Sequence, residues 1–105
     1  MYNRSVGTMP SAMKCLDFRL SQIAGRWESC EGGPAVRIFR NLSRKGGGIW
    51  IEVIYKNPQV SYSRPFKGLF GLWYFNFFGR VGMAYDSRRD ILTLSLYGDY
   101  KRVGG

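Results

Sequence analysis

The sequence predicts an all-β domain with one N-terminal helix. The β part reads as an antiparallel up-and-down meander of about eight short strands forming a small barrel or curled sheet. Three observations carry this reading. After Gly25 the hydrophobic residues alternate with a period of two, as in Ile49, Ile51, Val53 and Tyr55, or Leu92, Leu94 and Leu96. Turn signals such as Gly32-Gly33-Pro34, Asn57-Pro58 and Gly98-Asp99 separate these runs. The connections are too short for a crossover helix, so neighbouring strands pair antiparallel.

The elements follow in order. Residues 1–10 are polar and mixed and read as a flexible arm, leaving 11–105 as a single domain, in keeping with 105 residues in all. Pro10-Ser11 offers a helix start with Ser11 as N-cap. Met13, Leu16, Leu20 and Ile23 then form one helical stripe, and Gly25 ends it, which predicts a helix over 11–24. Strands are expected near 26–31, 35–41, 49–56, 60–65, 72–79, 81–86, 91–97 and 99–103. Trp27, Phe39, Tyr55, Tyr74, Phe78, Tyr85 and Leu94 are the bulky residues expected to fill the interior. Strands 49–56 and 72–79 carry large apolar groups on both faces, so Trp50, Ile54 and Trp73 become candidates for an outer interaction surface.

The stretch Ile23-Ala24-Gly25-Arg26-Trp27-Glu28-Ser29 resembles the opening of the lipocalin and calycin group, where a short helix leads to G-x-W on the first strand. The resemblance implies that Trp27 closes the barrel bottom and that a basic side chain packs across its indole. Arg102 is the matching residue, because Lys101 points to the opposite face; Gly25, Trp27 and Arg102 are thus the expected closure. The chain is much shorter than true lipocalins and has no counterpart of their later motifs, so a filled core is favoured over a ligand cavity. From Gly25 to Arg102 the sequence also resembles a family of small uncharacterised Bacteroidetes proteins, often found near conjugative elements. Gly25-Arg26-Trp27-Glu28, Ile38-Phe39-Arg40-Asn41, Gly79-Arg80-Val81-Gly82 and Tyr97-Gly98-Asp99-Tyr100 carry that likeness. It implies no activity.

Composition narrows function further. Sixteen Lys and Arg against seven Asp and Glu give a net charge of +9, and eleven of the cations are arginine. Arginine is the better fork for phosphate, and this balance favours an anionic partner, either nucleic acid or an acidic protein. The candidate contacts are Arg44, Lys45, Arg64, Lys67, Arg80, Arg88 and Arg89, on turns and strand ends. Arg44-Lys45-Gly46-Gly47-Gly48 is a basic glycine-rich loop, but it lacks the Walker A order and a strand follows it. Lys67 to Phe75 has the aromatic content of an RNA-binding sheet without the register of that signature.

With no histidine, Ser-His-Asp and Cys-His arrangements are excluded, and two cysteines cannot build a four-cysteine zinc site. Cys15 and Cys30 read as plain buried thiols. Glu28 and Glu52 could face one another across strands as an acid and base pair, although most such carboxylates merely offset neighbouring arginines. These features point to a non-catalytic binding domain with no metal and no cofactor. Two other readings stay open: a miniature lipocalin-like binder of a small apolar ligand, and a subunit that assembles, with itself or a partner, through the apolar outer face. With neither a signal segment nor an apolar run of membrane-spanning length, a cytoplasmic location and no membrane partner are expected.

Overall fold

The computed structural model describes residues 18–41, 48–55, 57, 59–68 and 71–104. They form nine antiparallel strands: β1 (Gly25–Ser29), β2 (Ala35–Arg40), β3 (Ile49–Ile54), β4 (Val60–Ser63), β5 (Phe66–Lys67), β6 (Trp73–Asn76), β7 (Arg80–Asp86), β8 (Ile91–Leu94) and β9 (Gly98–Val103). Their order in the sheet is β4-β3-β2-β1-β9-β8-β7-β6-β5. The first strand therefore pairs with the last, and every other pairing is between chain neighbours. β4 and β5 sit at the two ends of this order, yet follow each other in the chain through Arg64 and Pro65. The alternation of directions leaves them pointing the same way. The sheet thus curls into a half-barrel whose two edges are successive parts of one segment. Proline suits the break, since it has no N–H to give to a ladder.

The expected helix is corrected. Its residues 11–17 lie outside the described residues. From Phe18 onward there is only a 3-10 turn, Leu20–Ile23, preceded by Arg19 in an extended conformation. The Arg19 N–H donates to the Gln22 side chain at 2.8 Å, and the Gln22 N–H donates back to the Arg19 carbonyl at 2.9 Å. These bonds close a single tight turn. The stripe still serves burial: Ile23 is fully buried and Leu20 packs against the core. Among the described residues no helix is long and apolar enough to cross a membrane.

The strand expected over 60–65 breaks at Arg64-Pro65, and the two-residue β5 was not foreseen. The interior is filled by Trp27, Phe75, Ile38, Ile51, Leu92 and Tyr100, each almost wholly buried, with Val36, Val53, Val81 and Leu94 between them. The Tyr100 hydroxyl donates to the Pro34 carbonyl at 2.8 Å, and burial pushes its pKa up to about 12. Of the expected interior residues, Trp27, Tyr85 and Leu94 are inside. Tyr55 packs half-buried against the core. Phe39 and Tyr74 face outward.

Phe78 is the largest departure, with 90% of its surface exposed. On β6 it is Phe75, followed by Phe77 just beyond the strand, that enters the core. A one-residue slip flips every side chain of a strand, and both faces of this strand are aromatic, so the alternation alone could not choose. The chain then reverses tightly: the Phe77 N–H donates to the Gly79 carbonyl at 2.7 Å, and Phe78 takes a positive φ of 53°. Leu96 is exposed for a similar reason, because β8 stops at Leu94 and a turn follows. Cys30, expected buried, lies exposed in the turn after β1; Cys15 is outside the described residues.

The seam between β1 and β9 is held by one side chain. Arg102 lies over the Trp27 ring, its guanidinium carbon 4.4 Å from the centroid. Its Nε and Nη2 donate to the two carboxylate oxygens of Asp90, at 2.9 and 3.0 Å. It also donates to the carbonyls of Gln22, at 2.8 Å, and of Ala24. Trp27 Nε1–H donates to the Ile23 carbonyl at 2.9 Å, and the Tyr85 hydroxyl donates to Asp90 at 2.7 Å. Gly25 makes room for this: its φ is 135°, and a Cβ there would stand 2.8 Å from the Arg102 guanidinium.

Two predictions test this packing. Phe75→Ala is expected to cost about 3–5 kcal/mol, as for a buried ring, whereas Phe78→Ala should stay within about 0.5 kcal/mol, as for an exposed site; urea unfolding of both variants measures the contrast. The second concerns acid. The Arg102 guanidinium, then the Tyr85 hydroxyl, hold the Asp90 carboxyl below its ordinary range. Its stabilisation is therefore complete above that range and is lost as pH falls through the depressed folded value. Urea midpoints should fall below about pH 4, the ordinary Asp value, and Asp90→Asn should make that acid-dependent loss shallower.

Candidate functional site

The outer face of β1–β4 gathers the densest set of cations and rings. Side chains alternate faces along a strand, so each outward row is set by register. In one row Arg26 on β1 pairs with Arg37 on β2, Arg37 with Glu52 on β3, and Glu52 with Tyr62 on β4. In the next, Phe39 on β2 pairs with Trp50 on β3, and Arg64, just past β4, reaches over Trp50.

The contacts are specific. Arg37 Nε–H donates to Glu52 Oε1 at 2.8 Å, while the Arg37 guanidinium carbon sits 4.1 Å from the Phe39 centroid. The Arg64 guanidinium is 5.2 Å from the Trp50 ring. Gly48 allows that approach, since a Cβ there would stand 2.5 Å from the Arg64 guanidinium. Glu52 is only 7% exposed. Arg37, and to a smaller degree Tyr62, hold its carboxyl below the ordinary range although burial opposes this. Two arginines facing one another across strands repel. Glu52 offsets only one of them.

Shallow hollows flank these rows. One of about 410 Å³ is bordered by Arg37, Phe39, Asn41, Trp50 and Tyr62. A second of about 560 Å³ includes Arg26, Arg37, Phe39, Glu52 and Ile54. They share Arg37 and Phe39. A third, about 350 Å³, lies over β6–β8, with Tyr74, Arg80, Gly82 and Ser95 among its walls.

The expected site residues are spread over several places. Arg64, Trp50 and Ile54 fall on the β1–β4 face. Arg80 lies against the paired rings of Phe66 and Tyr74, 5.7 and 5.5 Å from their centroids. Lys67 lies over Trp73 at 5.2 Å. Trp73 itself, expected on the outer surface, packs half-buried against the core and donates to the Phe18 carbonyl at 3.2 Å. Arg88 and Arg89 occupy the β7–β8 turn, where Asp86 accepts from both backbone N–H groups and from Arg89 Nε. Arg44 and Lys45 lie outside the described residues. Gly25, Trp27 and Arg102 form the seam already described.

Sequence reasoning left Arg26, Arg37, Phe39, Glu52 and Tyr62 out of the site. The alternation in 35–41 does put Arg37 and Phe39 on one face, but only register joins them to Glu52 and Tyr62. Glu28 and Glu52 do not face one another: Glu28 pairs with Lys101, and β2 separates β1 from β3. Among the described residues no cluster of His, Cys, Asp or Glu could hold a metal ion.

The Arg37–Glu52 pair gives a directional prediction. Arg37→Met leaves a buried carboxylate without its cation, so burial should raise the Glu52 pKa. The variant should therefore lose most stability at neutral pH, and the deficit should shrink as acid neutralises Glu52. Thermal melts at pH 7 and pH 4.5 compare the two.

No curated protein and no solved structure matches the chain. A family model does match, over residues 11–102, and covers Trp27, Asp90 and Arg102 of the seam and all of the β1–β4 face. The chain thus belongs to the family described as "Domain of unknown function, B. Theta Gene description (DUF3876)".

Proposed function

We propose that this protein is a non-catalytic binding domain that engages an anionic partner through the outer face of β1–β4. The observation that carries the reading is the pair of adjacent rows, Arg26-Arg37-Glu52-Tyr62 and Phe39-Trp50-Arg64. They place three arginines and three rings on one face with one buried carboxylate among them. An approaching anion relieves the Arg26–Arg37 repulsion that the fold leaves half compensated, and the net charge of +9 draws it in. A lipocalin-like pocket has less support. The Gly25-Trp27-Arg102 closure fits such an architecture, but bulky side chains occupy the interior, and the three hollows described above open on the outside of the sheet, although the core residues Ile38 and Met83 each border one of them.

Fluorescence anisotropy with labelled nucleic acids and inorganic polyphosphate tests the proposal. Binding is expected at about 50 mM salt and should weaken about tenfold or more by about 200 mM, as counterion release requires. Arg26→Glu should weaken it further without changing the melting temperature by more than a few degrees. Absence of binding to every polyanion at the lower salt would sink the reading.

A further inference from the structure

We infer that the hollow between Phe39, Trp50 and Tyr62 receives an unpaired nucleobase, which makes the anionic partner a single-stranded nucleic acid. This rests on the reading of the β1–β4 face as a surface for anions and narrows it to one class. A polyphosphate chain shows a protein only charge, and a duplex keeps its base faces stacked, so arginines alone would hold either at such a face. Rings add nothing there. The hollow of about 410 Å³ has three rings around it, together with the Arg37 guanidinium and the Asn41 amide. Its volume falls in the range of small-molecule sites. Every base has a π-face, so a ring-lined slot beside cations selects for bases that are free to leave a stack.

The spread of charge argues for a strand over a lone nucleotide. Arg26 on β1 and Arg64 beyond β4 are separated by three strand spacings, about 14 Å, with the hollow and Arg37 between them. That span suits successive phosphates of a strand laid across β1–β4 better than the single phosphate of one nucleotide. Tyr62 is 56% exposed and stands at the rim with its hydroxyl toward Glu52, which leaves its ring open to a base. Phe39 and Trp50, side by side on adjacent strands, supply the floor, where a base takes the place over Trp50 that the Arg64 guanidinium holds and lies beside Arg37, which covers Phe39.

The test compares labelled single strands of about 12 nucleotides, a length within known site sizes, with the matching duplex, inorganic polyphosphate and AMP. All are titrated at about 50 mM salt, where backbone contacts remain strong. Single strands should bind at least about tenfold more tightly than the other three, the scale of one stacked base. Trp50→Leu and Tyr62→Ala should each lose most of that advantage and leave polyphosphate binding unchanged, while Trp50→Phe should retain it. Tyr62 is exposed, so its variant reports even where Trp50→Leu folds poorly. Equal binding of single strand, duplex and polyphosphate, untouched by these variants, overturns the base slot and leaves the anionic face standing. AMP binding as tightly as a strand overturns the strand as partner. No binding by any of them removes the face and the slot together.

Discussion

The guanidinium of Arg102 is the contact on which the rest of the half-barrel depends. In the strand order, β1–β4 and β5–β9 are two meanders, and among the described residues the β1–β9 ladder, continued by the Cys30 N–H donating to the Asp99 carbonyl, joins them by backbone hydrogen bonds. Elsewhere they are linked through Arg64-Pro65 and through the shared core. Arg102 secures that ladder at the end where the chain enters β1. One planar group covers the Trp27 ring, grips both oxygens of Asp90 and satisfies two carbonyls that the 3-10 turn leaves over. Lysine has neither the plane nor the fork to do this. The absence of a side chain at Gly25 is part of the same contact.

The seam explains why the outer face can carry groups that do little for folding. The interior holds large, almost wholly buried side chains on both meanders, so the core does not need the outward rows. Those rows contain two opposed arginines, the partly covered rings of Phe39 and Trp50, and the exposed ring of Tyr62. Glu52 is the exception, since its burial ties Arg37 and Tyr62 to the fold. The face therefore divides into an anchored group, Arg37, Glu52 and the Tyr62 hydroxyl, and a more exposed pair, Arg26 and Arg64, whose chemistry can change with small cost to the core.

How much of this was readable depended on whether the two faces of a strand differ. In β7 and β8 the inward face is apolar, and alternation placed these strands within a few residues; β2 and β9 were placed along the chain as well, although Phe39 sits outward beside Arg37 and Arg102 shares a face with Tyr100. Arg102 was separable from Lys101 on the same ground. β6 failed because aromatic residues occupy both faces, so nothing in the pattern opposed a one-residue shift. The helix failed because Leu20 and Ile23 suit the inner side of one tight turn as well as a helical stripe. The outer rows were illegible for a different reason. Arg26, Arg37, Glu52 and Tyr62 come from four strands, and their meeting depends on hairpin lengths and register rather than on any local motif.

Register also sorts charge along the strands, which net charge alone conceals. Glu28 lies beyond Arg26 on β1, and Glu31 follows in the turn, where its carboxylate accepts from the Asp99 N–H at 3.3 Å. Asp99 in turn accepts from the Thr93 hydroxyl at 2.7 Å. Three carboxylates thus collect toward one end of the β1–β9 seam. Phe39, Trp50 and Arg64 lie toward the other end, with the Arg26–Arg37 row between. For the polyanion proposed as partner, this arrangement disfavours the first end and favours the second, which would set its backbone across the strands and over the rings. The scattered +9 of the sequence becomes a directed surface only because the seam fixes which strands lie side by side.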